Sequence, residues 1–154
     1  MVAPALAGDM TESIIANISD AEQKLVSLAE AIPADQYGWR PADGVRTVSE
    51  AFMHVAGANY YFGGRFGKQP PEGAGELEKT VTEKAEVVAK LKESFAHIKG
   101  SLAGADLTKE TKLFGGKMGT TGDLALAAVG HIHEHLGQLI AYARSIGVTP
   151  PWSK

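Results

Sequence analysis

Apolar residues recur along this chain at helical intervals in four separate stretches. In the first, Ile14, Ile18, Ala21, Leu25, Leu28 and Ile32 alternate steps of four and three, the stripe of a helix that buries one side. It predicts a helix from about Thr11 to Ala31, with Asp9 and Glu12 as a capping box and Pro33 as its stop. Residues 33–46 read as a loop by their prolines, glycines and aspartates, and Tyr37 and Trp39 within it imply that it packs onto the helices. Thr47 opens a second helix, with Glu50 as the matching capping acid and Val48, Ala51, Phe52, Val55, Ala58 and Phe62 as its buried arc. Met53, Ala56 and Gly57 fall off that arc, which makes them exposed surface or a contact face for a second copy.

The segment Gly63–Glu76 is long for a link between neighbouring antiparallel helices, so it reads as a crossover or as a lid over one end of a bundle. A third helix is expected from about Thr80 to Leu102, capped by Thr80 and Glu83, with Val81, Ala85, Val88, Leu91, Phe95, Ile98 and Leu102 facing inward. Gly100 and Gly104 mark its end. The loop from Ala105 to Gly119 contains Gly115-Gly116-Lys117, which lacks the upstream glycine spacing and following Ser/Thr of a phosphate loop and reads as a turn. Thr120 and Asp123 start a fourth helix whose stripe is Leu124, Ala128, Ile132, Leu139, Tyr142 and Ile146; Pro150 and Pro151 stop the chain from continuing it. Four amphipathic helices and no strands define an all-α chain. The expected architecture is a four-helix bundle with a long connection between helices 2 and 3, one domain over residues 1–154.

Composition narrows the chemistry. A net charge of −3 and a pI near 5.9, with no Lys/Arg stripe on any helix, argue against nucleic acid as a partner. No apolar run reaches the ~20 residues that span a bilayer. There is no cysteine, so any metal must be held by nitrogen and oxygen and covalent haem is excluded. Met1–Gly8 lacks the charged and apolar regions of a signal peptide, but its small residues look like the tail of one. The expected location is cytoplasmic, with an exported precursor as the alternative.

The stretch richest in chemistry is Gly130-His131-Ile132-His133-Glu134-His135-Leu136-Gly137-Gln138. At ~100° per residue, His131 and His135 point the same way one turn apart, whereas His133 is turned by ~160°. A strand would align all three, but the flanking periodicity is helical. His54, at the edge of the second helix's arc, is the candidate third imidazole. Three histidines with an open position suit zinc, nickel or iron, and an ion so held lowers the pKa of bound water or takes a substrate oxygen or sulfur. The alternative is that each is a hydrogen-bonded boundary histidine. Glu134, ~60° from His131, is a candidate general base or a solvated rim carboxylate. Glu50 and Gln138 could orient an imidazole, Glu50 being equally explained as the capping acid. Tyr61 and Tyr142 line a pocket or fill the core, and His97 and His133 read as solvent-facing. A di-iron bundle would want Glu-x-x-His motifs, and the acid-to-histidine spacings at Glu50–His54 and Glu134–His135 do not supply them.

Taken in order, Ile32-Pro33, Trp39-Arg40-Pro41, Gly44, the single His54, His131-x-x-x-His135, His135-Leu136-Gly137-Gln138-Leu139 and the closing Gly147 to Trp152 resemble the DinB-like superfamily across nearly the whole chain. The resemblance implies a bundle with an unusual helix order, a divalent metal on His54, His131 and His135, and a homodimer. It further implies a thiol-dependent S-transferase or a metal-dependent hydrolase acting on a small molecule, with a low-molecular-weight thiol as possible cofactor. A metal- or ligand-binding bundle without turnover, such as a stress-related dimer, is the alternative.

Overall fold

The computed structural model describes residues 9–153, so the leader-like Met1–Gly8 lies outside the described residues. Four long helices carry the fold: α1 (Met10–Ala31), α2 (Val48–Arg65), α4 (Lys84–Leu102) and α5 (Thr121–Ser145), with a one-turn α3 (Leu77–Thr80) before α4. All six positions of the first stripe are buried, from Ile14 to Ile32, and so are Leu124, Ala128, Ile132, Leu139 and Tyr142 of the last. Burial of these faces, at roughly 25 cal/mol per Å² of apolar surface, is the main force holding the helices together. Reciprocal capping boxes start α2, through Thr47 and Glu50, and α5, through Thr120 and Asp123. At α1, Asp9 accepts from the Thr11 amide and the return bond from Glu12 is not made.

Inter-helix contacts fix the directions. Glu22 pairs with Lys99 and Glu30 with Lys92, so α1 and α4 are antiparallel. Asn59 bonds Ser94 and Gly63 lies against His97 and Ser101, so α2 and α4 are parallel. Tyr142 bonds the Arg46 carbonyl while His54 meets His131, so α2 and α5 are antiparallel. The order is therefore up, down, down, up. Two consecutive parallel helices require the chain to travel back along the bundle. α2 is 18 residues long, about 27 Å at 1.5 Å per residue, and the segment 66–83 makes that return. The long connection expected between helices 2 and 3 follows from this geometry, and on its way it passes over the α2–α5 face.

Several local expectations change. Helix α2 runs on to Arg65, and Thr80 ends α3 where it was expected to cap the third helix; α4 starts at Lys84 with Glu83 before it and no side-chain cap. Val87, four residues before Leu91 on the packed stripe, is buried, and Ala85, turned about 120° from Leu91, is exposed. Met53 and Ala56 are fully buried, because α2 packs on three sides, against α4, α5 and the returning connection; they are not an exposed contact face. The loop before α5 holds a two-stranded hairpin, β1 (Glu110–Lys112) and β2 (Met118–Thr120), which the all-helical reading did not contain. Its tip is the expected turn: Gly115 and Gly116 both sit at φ near +80°, open to glycine at little cost. Tyr37 and Trp39 pack as expected, Tyr37 donating to the Ala29 carbonyl at 2.7 Å and Trp39 edge-on to Tyr142.

Candidate metal centre

His54 projects from α2 toward His131 and His135, which lie one turn apart on α5. One ring nitrogen from each lies within 4.8 Å of the others, and the Nε2 atoms of His54 and His131 are 3.1 Å apart. In a tetrahedral site with metal–nitrogen bonds of ~2.05 Å, neighbouring nitrogens lie about 3.3 Å apart, so three imidazoles are placed where they could hold one ion.

The outer nitrogens show which atoms face the centre. His54 Nδ1 lies 2.6 Å from Glu78 Oε1 on α3, and the other Glu78 oxygen accepts from Arg46 Nε at 2.7 Å. A carboxylate only accepts, so His54 carries its proton on Nδ1 and turns the Nε2 lone pair inward. A longer chain of bonds fixes His135. The Arg46 carbonyl must accept, so the Tyr142 hydroxyl donates to it at 3.1 Å and accepts from Gln138 Nε2 at 3.0 Å. The Gln138 oxygen then faces His135 Nδ1 at 2.8 Å, which must donate. His135 Nε2 is left with its lone pair free. Outer hydrogen bonds of this kind are how proteins orient metal-binding imidazoles. The Nδ1 of His131 is buried and has no hydrogen-bond partner among the described residues.

Electrostatics agree with neutral, lone-pair-bearing imidazoles at His131 and His135. Burial, with His135, His54 and Arg46 nearby, pushes His131 down to about 4. Burial also lowers His135, against the opposing hydrogen bond with Gln138. At Glu78 burial works toward the neutral acid, but hydrogen bonds from Arg46 and His54 outweigh it and hold the carboxyl below its ordinary value.

His54 and His131, though not His135, line a cavity of about 630 Å³ between α2, α5 and the returning connection. Glu134 lines it, as do Tyr61, Phe62 and Phe114. On the far side of Glu78 is a second, polar cavity of about 560 Å³ bounded by Arg40, Arg46 and Gln138. Of the other candidates, Glu50 caps α2 and lies 3.6 Å from Arg40. Gln138 orients His135, Tyr142 is buried and anchors Gln138, and His133 is exposed and bonded to Asn17. His97, expected to face solvent, is buried beneath Gly63 and edge-on to Tyr60. It fits there because position 63 has no side chain. Glu78 and Arg46 escaped sequence reasoning, since nothing in the spacing of residues 66–83 shows where that segment touches α2.

The sequence pattern of the DinB superfamily matches residues 17–139, and the chain belongs to that superfamily. Two solved structures share the fold. A DinB-like protein from Bacillus subtilis (YjoA) is 24% identical over 89% of this chain and 93% of its own, with a TM-score of 0.71. A protein assigned to the DinB family from Exiguobacterium sibiricum is 18% identical over 91% of this chain and 93% of its own, also at 0.71. No curated protein matches. No helix among the described residues is long and apolar enough to cross a membrane.

Proposed function

We propose that this chain is a metal-dependent enzyme in which His54, His131 and His135 hold a divalent ion, zinc in the first instance with nickel or iron as alternatives. The reaction is transfer of a low-molecular-weight thiol to, or hydrolysis of, a small electrophilic molecule. The observation that carries the reading is the convergence of three imidazole nitrogens whose partners at Glu78 and Gln138 turn two of the lone pairs inward. When bound, the ion supplies Lewis acidity at the fourth position. The side chains supply the rest. Glu134, on the cavity wall one residue before His135, accepts the proton released from the thiol or water as its lone pair bonds to the electrophilic carbon; the leaving group departs with the bonding electrons. Glu78 and Gln138 hold the two imidazoles in register, and the connection over α2 brings Glu78 to His54.

The test pairs metal content with turnover. Purified untagged protein is expected to carry close to one divalent ion per chain by elemental analysis, and His131→Ala very little. Equal and negligible metal in both would overturn the reading. A screen of electrophiles with and without added thiol, and of hydrolysable esters, then separates enzyme from carrier. Product formation lost in His54→Ala supports catalysis; metal-tight protein inert toward every thiol and ester points to a binding bundle.

A further inference from the structure

From the cavity's lining we infer that the substrate is a predominantly apolar small molecule, its uncharged body held between α2, α5 and Phe114 and one polar reacting group directed at the histidines. The inference rests on the reading above for the reacting end and on independent observations for the body.

The first is charge. Apart from His54, His131, Glu78 and Glu134, the lining is glycine, alanine and apolar or aromatic residues, with no lysine or arginine among them. The nearest guanidinium groups are committed. Arg46 is paired with Glu78, and Arg65 is divided among the Tyr61 hydroxyl, the Thr111 hydroxyl and the Lys112 carbonyl. A carboxylate or phosphate on the substrate body would lie desolvated without a cationic partner and close to two acids. Arg40 and Arg46 border the second cavity, across Glu78, and face Glu50 and Glu78 there.

The second is shape. Tyr61 lies seven residues of helix beyond His54 on α2, about 10 Å at 1.5 Å per residue, and Phe62 bridges the two ends, its ring edge-on to His131 with centroids 6.3 Å apart. Tyr61 and Phe114 stack at 5.9 Å, and Phe62 meets Phe114 edge-on. Tyr61 is nonetheless 46% exposed and Phe114 58%, apolar surface left for a ligand to cover. The volume is in the range of small-molecule pockets.

The third is Gly130, in the interior of α5. A Cβ there would meet nothing within 4 Å, and its φ is not positive. A helix-interior glycine is less stable than alanine, and neither packing nor backbone conformation requires one here. Gly130 is exposed at the cavity wall beside His131, where a large side chain would enter the open space.

Two fluorescent probes that differ only in a sulfonate test this: N-phenyl-1-naphthylamine, which is neutral, and 1-anilinonaphthalene-8-sulfonate. Wild type is expected to bind the neutral probe at a single micromolar site at least tenfold more tightly than the sulfonate. Gly130→Phe, and independently Ala127→Phe, should weaken the neutral probe at least tenfold while metal content stays at the wild-type level. Stripping metal from wild type with a chelator should change its affinity less than threefold. Sulfonate binding as tight as the neutral probe, or filled-cavity variants that fold by circular dichroism and bind the neutral probe unchanged, would overturn the inference. Loss of metal with neutral-probe binding intact would defeat the metal reading alone, and a metal-loaded protein that binds no neutral probe would defeat this one alone.

Discussion

Replacing Glu78 with glutamine removes one charge and almost no volume, and it tests whether the returning connection tunes the proposed metal centre. Both carboxylate oxygens are in use: Oε1 accepts from His54 Nδ1 at 2.6 Å and Oε2 from Arg46 Nε at 2.7 Å. A glutamine has a single acceptor oxygen. If it serves His54, its amide group confronts the Arg46 donor. If it serves Arg46, the amide donates to His54 Nδ1, which moves the imidazole proton to Nε2 and removes the lone pair that faces His131. Loss of such an outer partner costs about 10–100-fold in metal affinity, or about 1.4–2.8 kcal/mol. The side chain of Glu78 is 35% exposed, so the pair adds at most about 1 kcal/mol to folding. Competition with a chromophoric zinc chelator at neutral pH reads the affinity, and thermal melts of metal-free protein read the fold. Glu78→Gln should lose zinc affinity by one to two orders of magnitude with a melting temperature near wild type. Zinc affinity within twofold of wild type, with a clearly lowered melting temperature, would show that Glu78 merely fastens the connection to α2.

Two further predictions concern the rest of the chain. A Cβ at Gly63 would overlap the His97 ring and approach Ser101 Oγ to 3.1 Å, so Gly63→Ala should cost about 1–3 kcal/mol in urea unfolding. Most of that should be recovered in the His97→Ala background; no recovery would mean that another contact carries the strain. His131 is pushed down to about 4 in the folded protein from an ordinary value of 6.5. Between these values the unfolded chain binds the extra proton, so metal-free protein should be fully stabilised above about pH 6.5 and lose stability as pH falls toward 4. Melting temperatures across that window in chelator should show this slope, flattened in His131→Gln; a wild-type profile that is flat or rises toward acid would contradict the buried, neutral imidazole.

The helices, their inward faces and two of the capping boxes were legible in the sequence because they are local. Helical periodicity depends on residues three and four apart, and a capping box on residues three apart. The His131–His135 pair was legible for the same reason. His54 could be nominated by its place at the edge of a buried arc, but its meeting with α5 rests on contacts between helices that are distant in sequence. Where local rules failed, packing decided. Thr80 has a capping-box spacing with Glu83, yet the chain spends it in α3, and His97 looks like a surface histidine until Gly63 from another helix opens a slot for it.

What the sequence determined by itself was which segments are helical, which sides they bury and where nitrogen ligands can lie one turn apart. Only the tertiary structure decided that α2 and α4 run parallel, and hence that residues 66–83 return along α2 and bring Glu78 to His54. It also decided that glycines and aromatics far apart in the chain enclose one apolar cavity. Local spacing encodes a helix because neighbours along the chain are neighbours in space. The partners of an imidazole and the walls of a cavity come from segments whose meeting depends on how all the buried faces are satisfied at once.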